Sequence, residues 1–407
     1  MLKTYSLTSA QIKKLQSQPQ YEACLKVSKV IVAAEGQVLW AGGVVRDLFI
    51  DKMIKDIDVV TDLIPEKVQT LFPKNFDIGK RFGIINVVED SKNIEVATFR
   101  KDGVYEDGRH PSSVSFCTPE EDASRRDFKI NGLFLDPFTF QVKDYVDGLS
   151  DVNKKLIQCI GQPEKRFQED SLRILRGLRF AAQLGFGIEE QTFLKMKSLM
   201  RNLERVSKER VKVELEQWLT GDHRDSSLER FQNSGILKTL FNVDCLNPSY
   251  LQKGGNTDLQ WAGFILAVDG RKDFSEEVLF HYKFSNLEKE SIRVFRSLLA
   301  SEAITKEEDY ILYLKRCFEL RNGVEFRKFS HLLEPSFQTS FNVVIKNKEW
   351  LDAKVKSQDL MKLFQNKDLG NALKLAYIRQ IVDLISDKEK LIEIVCNTMS
   401  PRPNEES

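Results

Sequence analysis

Residues that typically form metal or disulfide sites are scarce in this sequence. The 407 residues include four histidines, none close to another, and six scattered cysteines without a C-x-x-C pair. The cysteine pattern argues against a zinc ribbon or a disulfide framework and fits a reducing compartment. With so few histidines, we expect any bound metal to be held by carboxylates.

The sequence also lacks an excess of charge and a long apolar run. Lysine and arginine total 61 against 60 aspartates and glutamates, a net charge of +1, so any nucleic-acid surface must be local. No segment approaches the roughly 20 consecutive apolar residues that span a bilayer, and the N-terminus has no apolar secretory core. We therefore expect a cytoplasmic protein with no membrane partner, beginning with an amphipathic helix.

The hydrophobic pattern changes after about Lys154. Before it, the runs QVLWAGG and KDIDVVT predict short buried strands, and FGIINVVED with NIEVATFR predicts a β-hairpin. KINGLFLDP and QVKDYVDG predict a further strand pair, and the polar stretch from Asp102 to Asp127 predicts a long loop. Beyond Lys154 the apolar residues recur at helical spacing. The pattern predicts an N-terminal α/β catalytic domain followed by an all-helical arm.

Asp56 and Asp58 are the first candidate site residues. Residues i and i+2 of a strand point to the same face, so the two carboxylates should converge while Ile57 faces the other way. Two carboxylates that close repel each other unless a cation or proton joins them, and Mg²⁺ prefers such oxygen ligands. The alternative is a pair of surface acids, because a lone D-x-D is common.

The preceding stretch GGVVRD has the composition of a phosphate-binding turn. Gly42 and Gly43 would let the backbone approach a phosphate closely, and a helix beginning near Val44 would add N–H donors. Arg46 would supply a charged fork for a phosphate. With the carboxylate pair, these features suit phosphoryl or nucleotidyl transfer, whereas the glycines alone are equally compatible with an ordinary turn.

The stretch PEKRFQEDSLRILRGLRFAAQLGF predicts one continuous helix that ends at Gly185. Asp170 and Arg173 are three residues apart and should be neighbours on one helix face, and Arg176 and Arg179 continue the row. An aspartate acceptor and an arginine donor can match the edge of a nucleobase. The alternative is a solvated face of ion pairs.

The stretch RRDFKING presents the same two alternatives. Arg126 and Asp127 precede a predicted strand, where they form either a surface charge cluster or one wall of a nucleotide cleft. Glu95, in IEVATFR, is a candidate third carboxylate on a neighbouring strand, and an exposed strand acid is an equally good interpretation.

The order of these motifs resembles that of a known family. GGxVRD, DxD, RRDFxxN and RFxEDxLRxLRxxRF occur in this order within about residues 39–221, as in the class II tRNA nucleotidyltransferases, which are the bacterial CCA-adding enzymes, and in the related bacterial poly(A) polymerases. The resemblance implies an α+β protein: a polymerase-β-like head with a mixed sheet, followed by an elongated helical neck, body and tail. The implied bounds are 1–154, 155–221, 222–330 and 331–407.

The resemblance also implies an activity and its ligands. The family adds C, C and A to the tRNA 3′ end from CTP and ATP without a template and releases pyrophosphate. By position, Asp56 and Asp58 would hold the catalytic Mg²⁺. Gly43 and Arg46 would contact the triphosphate, with Gly42 shaping the turn.

The remaining motifs match the nucleotide-binding residues of the family. Asp170 and Arg173 would read the base of CTP or ATP, with Glu169 bracing them. Arg126 would contact the incoming nucleotide, and Asp127 would help to place its ribose. Arg176 and Arg179 would be further nucleotide-contacting arginines.

Several alternatives stay open on the sequence. An A-adding enzyme and, less favoured, a poly(A) polymerase share the core motifs; the stretch from Gly103 to Pro111 resembles the loop needed for adding A, which disfavours a CC-only enzyme. A non-catalytic RNA-binding protein is disfavoured by the intact D-x-D, and a small-molecule nucleotidyltransferase by the helical arm. Lys315–Phe329 is a candidate tRNA surface or, more simply, a pair of amphipathic helices. A monomer and a homodimer are both compatible with the sequence.

Overall fold

The computed structural model describes residues 2–50, 52–103, 114–268, 272–300, 305–319, 330 and 333–399. The chain divides into two compact units, Met1–Cys245 and Leu246–Ser407. The finer division into head, neck, body and tail stays a prediction.

The first unit is built on a mixed eight-stranded sheet. The strands of this unit are β1 (Lys3–Ser6), β2 (Val38–Ala41), β3 (Asp58–Thr61), β4 (Asn75–Gly79), β5 (Ile84–Glu89), β6 (Lys92–Thr98), β7 (Arg100–Asp102), β8 (Val114–Phe116), β9 (Leu133–Leu135), β10 (Gln141–Asp144), β11 (Leu156–Ile157) and β12 (Gly187–Ile188). The order in the large sheet is β1-β10-β9-β2-β3-β6-β5-β4, and β7 with β8 and β11 with β12 form two small ribbons. Among the described strands of the large sheet, β3 and β6 pair in parallel and the other neighbours are antiparallel. The predicted α+β fold with a mixed sheet is confirmed.

Helices cover this sheet and continue beyond it. They are α1 (Ser9–Gln16), α2 (Tyr21–Ala33), α3 (Gly43–Phe49), α4 (Pro65–Leu71), α5 (Pro119–Arg125), α6 (Gly148–Asn153), α7 (Pro163–Glu169), α8 (Leu172–Leu184), α9 (Glu190–Ser198), α10 (Lys208–Leu219), α11 (Arg224–Asn233) and α12 (Ile236–Phe241). Apolar side chains of β2 and β9, among them Trp40 and Phe134, are fully buried in the core of this unit. Such burial is what fixes these short strands in the middle of the sheet.

The predicted strands are confirmed in position and pairing. β2 and β3 are antiparallel neighbours, β5 and β6 form the predicted hairpin, and β9 and β10 form the predicted second pair. The N-terminus differs from the prediction. Its first residues form the edge strand β1 on β10, and a helix follows only at Ser9, where Thr8 and Gln11 make a capping box.

The stretch predicted as one long loop contains two elements. β8 pairs with β7, and α5 begins after Thr118, whose hydroxyl accepts a hydrogen bond from the Glu121 N–H while the Glu121 carboxylate accepts one from the Thr118 N–H. This capping box, with Pro119 in the first turn, starts a short helix inside a polar segment. The loop prediction is therefore wrong for both β8 and α5. Most of the stretch from Gly103 to Pro111 lies outside the described residues.

The helix predicted to run unbroken to Gly185 is interrupted. α7 ends at Glu169 and α8 begins at Leu172, because Asp170 has an extended backbone (φ −143°, ψ 105°) and its Oδ1 accepts a hydrogen bond from the Leu172 N–H at 3.0 Å. A short polar side chain that bonds a nearby backbone N–H competes with continued helix. Asp170 and Arg173 therefore do not share one helix face, contrary to the prediction. Gly185, at φ +68°, ends α8 as predicted.

The second unit is helical throughout its named elements. They are α13 (Thr257–Val268), α14 (Lys272–His281), α15 (Asn286–Leu299), α16 (Glu307–Glu319), α17 (Pro335–Val344), α18 (Ser357–Leu360), α19 (Asn366–Val382) and α20 (Lys388–Thr398). Leu360, Ala372 and Leu391 form part of an apolar core in which α19 and α20 pack together. Most of the stretch proposed as a tRNA surface, 320–329, lies outside the described residues. Among the described helices, none is both long and apolar enough to cross a bilayer.

Candidate active site

A cavity of about 720 Å³ lies in the first unit, between β3 and β6 of the sheet and the helices α3, α8 and α10. Of the site residues predicted from the sequence, all except Asp56, Glu169 and Arg179 line it. The fold therefore brings together motifs that are separated by more than a hundred residues along the chain. The volume of the cavity is in the range of small-molecule and cofactor sites.

The carboxylate pair lies where β3 begins. Asp58 is the first residue of the strand, and Asp56 precedes it in an irregular segment, so the prediction that both lie on the strand is wrong for Asp56. The alternation nevertheless holds, because both acids are exposed and Ile57 between them is buried. Within the described parts of the chain, neither carboxylate forms a hydrogen bond or ion pair, so their oxygens are available to a cation.

The electrostatics of Asp56 and Asp58 are also consistent with a site for a cation. The pKa of the Asp58 carboxyl is raised because the surrounding protein removes part of its hydration; the Arg126 guanidinium opposes this shift, and the charge on Asp56 adds to it. Asp58 and Glu95, both on the cavity wall, lie on the neighbouring strands β3 and β6. The pKa of Glu95 is also raised, first by burial and then by the charge on Asp58. A divalent cation would relieve both effects.

The two aspartates, rather than a triad, are the candidate metal ligands. No three His, Cys, Asp or Glu side chains in the described ranges are grouped closely enough to hold a metal. Glu95 contributes negative charge to the cavity, but its role as a third ligand stays open. A two-carboxylate site leaves coordination positions for substrate phosphates, as Mg²⁺ sites in phosphate-transferring enzymes commonly do.

The glycine turn ends β2 and starts α3. Gly42 has φ +73°, and a Cβ built on it would lie 3.3 Å from Nη1 of Arg126 and 3.8 Å from Oδ2 of Asp58. Both the backbone conformation and the close approach of these charged groups favour glycine. The turn therefore lies between the carboxylate pair and an arginine, with the first N–H groups of α3 following at Gly43.

A chain of hydrogen bonds links this turn to α8. Arg46 on α3 donates from Nη1 to Asn131 Oδ1 at 2.7 Å, and Asn131 Nδ2 donates to Asp127 Oδ1 at 3.0 Å. Asp127 Oδ2 lies 2.6 Å from Nη2 of Arg176 on α8. Arg176 and further groups lower the pKa of Asp127 below its ordinary value although burial acts in the opposite direction. Both oxygens of Asp127 are bonded within the protein, and its predicted contact with a ribose stays a prediction.

Asp170 and Arg173, which the sequence analysis proposes as base-reading residues, also line the cavity. Arg173 Nη1 donates to Glu169 Oε2 at 2.8 Å, while Oδ2 of Asp170 accepts from Nη2 of Arg210 at 3.0 Å. Arg210 lies on α10 and lines the cavity. The sequence singled out Arg210 only as a residue that leaves a capping box incomplete, and its pairing with Asp170 depends on the packing of α8 against α10.

Arg179 lies away from the cavity. Its Nη1 donates to Gln217 Oε1 at 2.8 Å, its Nε lies 3.3 Å from Glu214 Oε2, and all of these groups join α8 to α10. The physical reason is helical drift, because each three-residue step turns the side chain by about 60° with 3.6 residues per turn. Two such steps carry Arg179 away from the face of Arg173. Its predicted contact with a nucleotide has no support in this geometry.

Two family models match the chain. One, described as the poly A polymerase head domain, matches residues 38–158, and the other, described as a probable RNA and SrmB-binding site of polymerase A, matches residues 185–243. Curated relatives include the CCA-adding enzyme of Staphylococcus epidermidis, 32% identical over 328 residues, or 80% of this chain and 81% of the relative. The CCA-adding enzyme of Streptococcus uberis is 42% identical over 205 residues, or 50% of this chain and 51% of the relative.

Solved structures share the fold over almost the whole chain. The Bacillus stearothermophilus CCA-adding enzyme in complex with CTP has a TM-score of 0.73 and 24% identity, covering 94% of this chain and 98% of its own. The Thermotoga maritima CCA-adding enzyme complexed with tRNA_CCA has a TM-score of 0.59 and 20% identity, covering 98% and 99%. At these identities the similarity establishes the common fold.

Proposed function

Because this chain belongs to the family of the CCA-adding enzymes, we propose that it is a nucleotidyltransferase that adds C, C and A to the 3′ end of tRNA. CTP and ATP are the substrates and pyrophosphate is released. The observation that carries the proposal is one cavity lined both by Asp58, of the open carboxylate pair, and by Asp170, Arg173 and Arg210. A nucleotide bound there would have its phosphates near Asp58 and its base near Asp170.

The residues in and beside the cavity would have different roles in the reaction. Nucleotidyltransferases generally depend on a metal ion, and we propose that Asp56 and Asp58 hold Mg²⁺. The chemistry that the bound ion supplies is activation of the tRNA 3′-hydroxyl and neutralisation of the α-phosphate, which favour in-line attack. Arg46 and Arg126 would bind the triphosphate as charged forks, and the turn at Gly42 leaves room for it. Most of the acceleration then comes from positioning and charge stabilisation.

Base selection would come from the chain itself and needs no template. The carboxylate of Asp170 can accept, and the guanidinium of Arg173 can donate, along the edge of a cytosine or adenine. A wrong base would present a donor or acceptor that does not match this pair, so it would form fewer hydrogen bonds and bind less well. We assign catalysis to the head at 1–154, base recognition to the neck at 155–221 and tRNA binding to the remaining helices. A tRNA substrate is consistent with a cytoplasmic site of action.

The carboxylate pair provides the first test. Asp56→Asn and Asp58→Asn keep the shape of each side chain but remove its charge, so incorporation of CTP into a tRNA lacking its CCA end should fall by about three orders of magnitude. The matched control is Asp90→Asn, whose exposed carboxylate pairs with Lys26 at the turn of the β5–β6 hairpin. Its rate should stay at the wild-type level. Near-wild-type incorporation by either active-site variant would refute the metal assignment.

A further inference from the structure

Asp122, which the sequence patterns did not single out, is a buried carboxylate behind the cavity wall. It lies on α5, and only 1% of its surface is exposed. An acid so deeply buried is rare unless it is paired. It lies three residues before Arg125 and four residues before Arg126, so its side chain neighbours both of them. Both arginines line the cavity.

Each oxygen of Asp122 holds a different arginine. Oδ1 accepts from Arg125, with its Nη2 at 2.6 Å and its Nε at 3.0 Å, and Oδ2 accepts from Arg126, with its Nη2 at 3.0 Å and its Nε at 3.1 Å. Oδ1 also accepts from the backbone N–H of Arg100 at 3.2 Å. All three arginines line the cavity. One carboxylate therefore fixes two guanidinium groups and a neighbouring strand.

The charge state of Asp122 suits this role. Burial alone would raise the pKa of its carboxyl, but the charges of Arg126 and Arg125, together with the hydrogen bonds from the Arg100 N–H and from Arg125, lower the pKa below its ordinary value. The residue is therefore an anion throughout the neutral range. Charge-assisted pairs of this kind are short and directional, so they restrict the rotamers of both arginines.

The location of Arg126 indicates which part of the nucleotide depends on Asp122. A Cβ built on Gly42 would lie 3.3 Å from Nη1 of Arg126 and 3.8 Å from Oδ2 of Asp58, and the charge of Arg126 opposes the rise in the pKa of Asp58, so Arg126 lies near that carboxylate. Its guanidinium also lies over the ring of Phe134, 4.9 Å from the ring centroid. Its Nη1 donates to the backbone oxygen of Asn131 at 3.3 Å, so the guanidinium is held on several sides where it lines the cavity.

We propose that Asp122 is a positioning residue for the triphosphate of the incoming nucleotide, because it holds Arg125 and Arg126 in the orientation that receives phosphate oxygens. The inference rests on the proposed function, since it presumes that a nucleoside triphosphate enters this cavity. It differs from a role in base selection, because the phosphates are common to CTP and ATP.

The test uses Asp122→Asn in the full-length protein. With the charge removed, the two arginines lose their common partner, and the KM values for CTP and ATP should rise together by about tenfold or more. Inhibition by pyrophosphate, a probe that has the phosphates without the base, should weaken by a similar factor. The KM for tRNA and the preference for CTP and ATP over UTP and GTP should stay unchanged.

The control is Asp151→Asn, which removes a carboxylate that is 3% exposed on α6 and does not line the cavity. It separates loss of a buried charge from loss of the arginine contacts, and it should leave every KM unchanged. Folded Asp122→Asn with wild-type KM values for both nucleotides would overturn the proposal, as would a rise for only one of them. If the wild-type protein incorporates no nucleotide, the proposed function fails instead.

A second variant covers the case in which Asp122→Asn does not fold, judged by circular dichroism. Asp122→Glu keeps the charge but moves the carboxylate by one methylene, so both KM values should rise in parallel by a smaller factor. Unchanged KM values in folded Asp122→Glu would then refute the proposal.

Discussion

Arg210 Nη2 lies 3.0 Å from Oδ2 of Asp170, while Oδ1 of the same carboxylate caps the start of α8 at Leu172. Both oxygens of the proposed base acceptor are therefore oriented by the protein before any nucleotide binds. Preorganisation of this kind is what allows a single carboxylate to distinguish between bases. Arg210 should contribute to selectivity although it lies on a different helix.

Substitution of either partner should change nucleotide choice. Asp170→Ala should lower the preference for CTP and ATP over UTP and GTP by about tenfold or more, because the base acceptor is lost, and Arg210→Gln should lower it by a smaller factor, because the acceptor is only less well oriented. Single-nucleotide incorporation assays measure both. The control is Lys195→Gln, which removes an exposed lysine paired with Glu164. Unchanged selectivity in Asp170→Ala would contradict the base-reading role.

The sequence could supply residues with a local signature and could not supply their tertiary partners. Asp58, Gly42 and Arg46 belong to motifs whose spacing has a direct meaning on a strand, a turn and a helix start. Arg210 and Asp122 have no such signature. Arg210 contacts Asp170 because α8 packs on α10. Asp122 is buried because α5 forms within a segment whose polar composition predicts a loop.

The break between α7 and α8 is an element boundary that the sequence pattern could not predict. The composition of the segment favours helix on both sides, and the start, the end and the apolar face were predictable. The interruption depends on one side-chain bond from Asp170 to a backbone N–H, which competes with helix by only a small free energy. The interruption has a functional consequence, since it turns Asp170 out of the helix towards Arg210.

Close packing of α8 against its surroundings provides a test at the level of elements. A Cβ on Gly177 would lie 2.2 Å from Cε of Met196 and 3.0 Å from Cζ of Phe128, so Gly177→Ala should lower the stability of the first unit by about 1–3 kcal/mol. The matched control is Gly370→Ala on α19, where nothing lies within 4 Å, and it should stabilise the second unit by up to about 1 kcal/mol.

Thermal unfolding of the two glycine variants and the wild type gives the comparison. A lower melting temperature for Gly177→Ala and an equal or higher one for Gly370→Ala is the expected order. Equal effects of the two substitutions would mean that α8 does not approach Phe128 as closely as the structure indicates.

At the scale of the whole molecule, the near-neutral net charge conceals a strong local asymmetry. The chain carries a net charge of +1, yet Arg46, Arg126, Arg173 and Arg210 all face one cavity. Such a concentration of guanidinium groups suits a polyanionic substrate better than the overall charge suggests. The order of the motifs predicted the mixed sheet followed by helices, and most of the proposed site residues line one cavity. The second unit was predictable only as helical, because leucine-rich helices of this kind can pack in many ways.

Stepwise nucleotide addition tests the central claim most directly. The protein and Mg²⁺ are incubated with tRNA transcripts that lack the CCA end, that end in CC, or that carry the whole CCA, with one labelled nucleotide at a time and then with CTP and ATP together. The expected result is addition of C, C and then A, followed by arrest, with no addition to the complete end. Incorporation of ATP alone onto CC ends, or growth of long A tails, would contradict CCA addition, and no incorporation at all would contradict nucleotidyl transfer by this cavity.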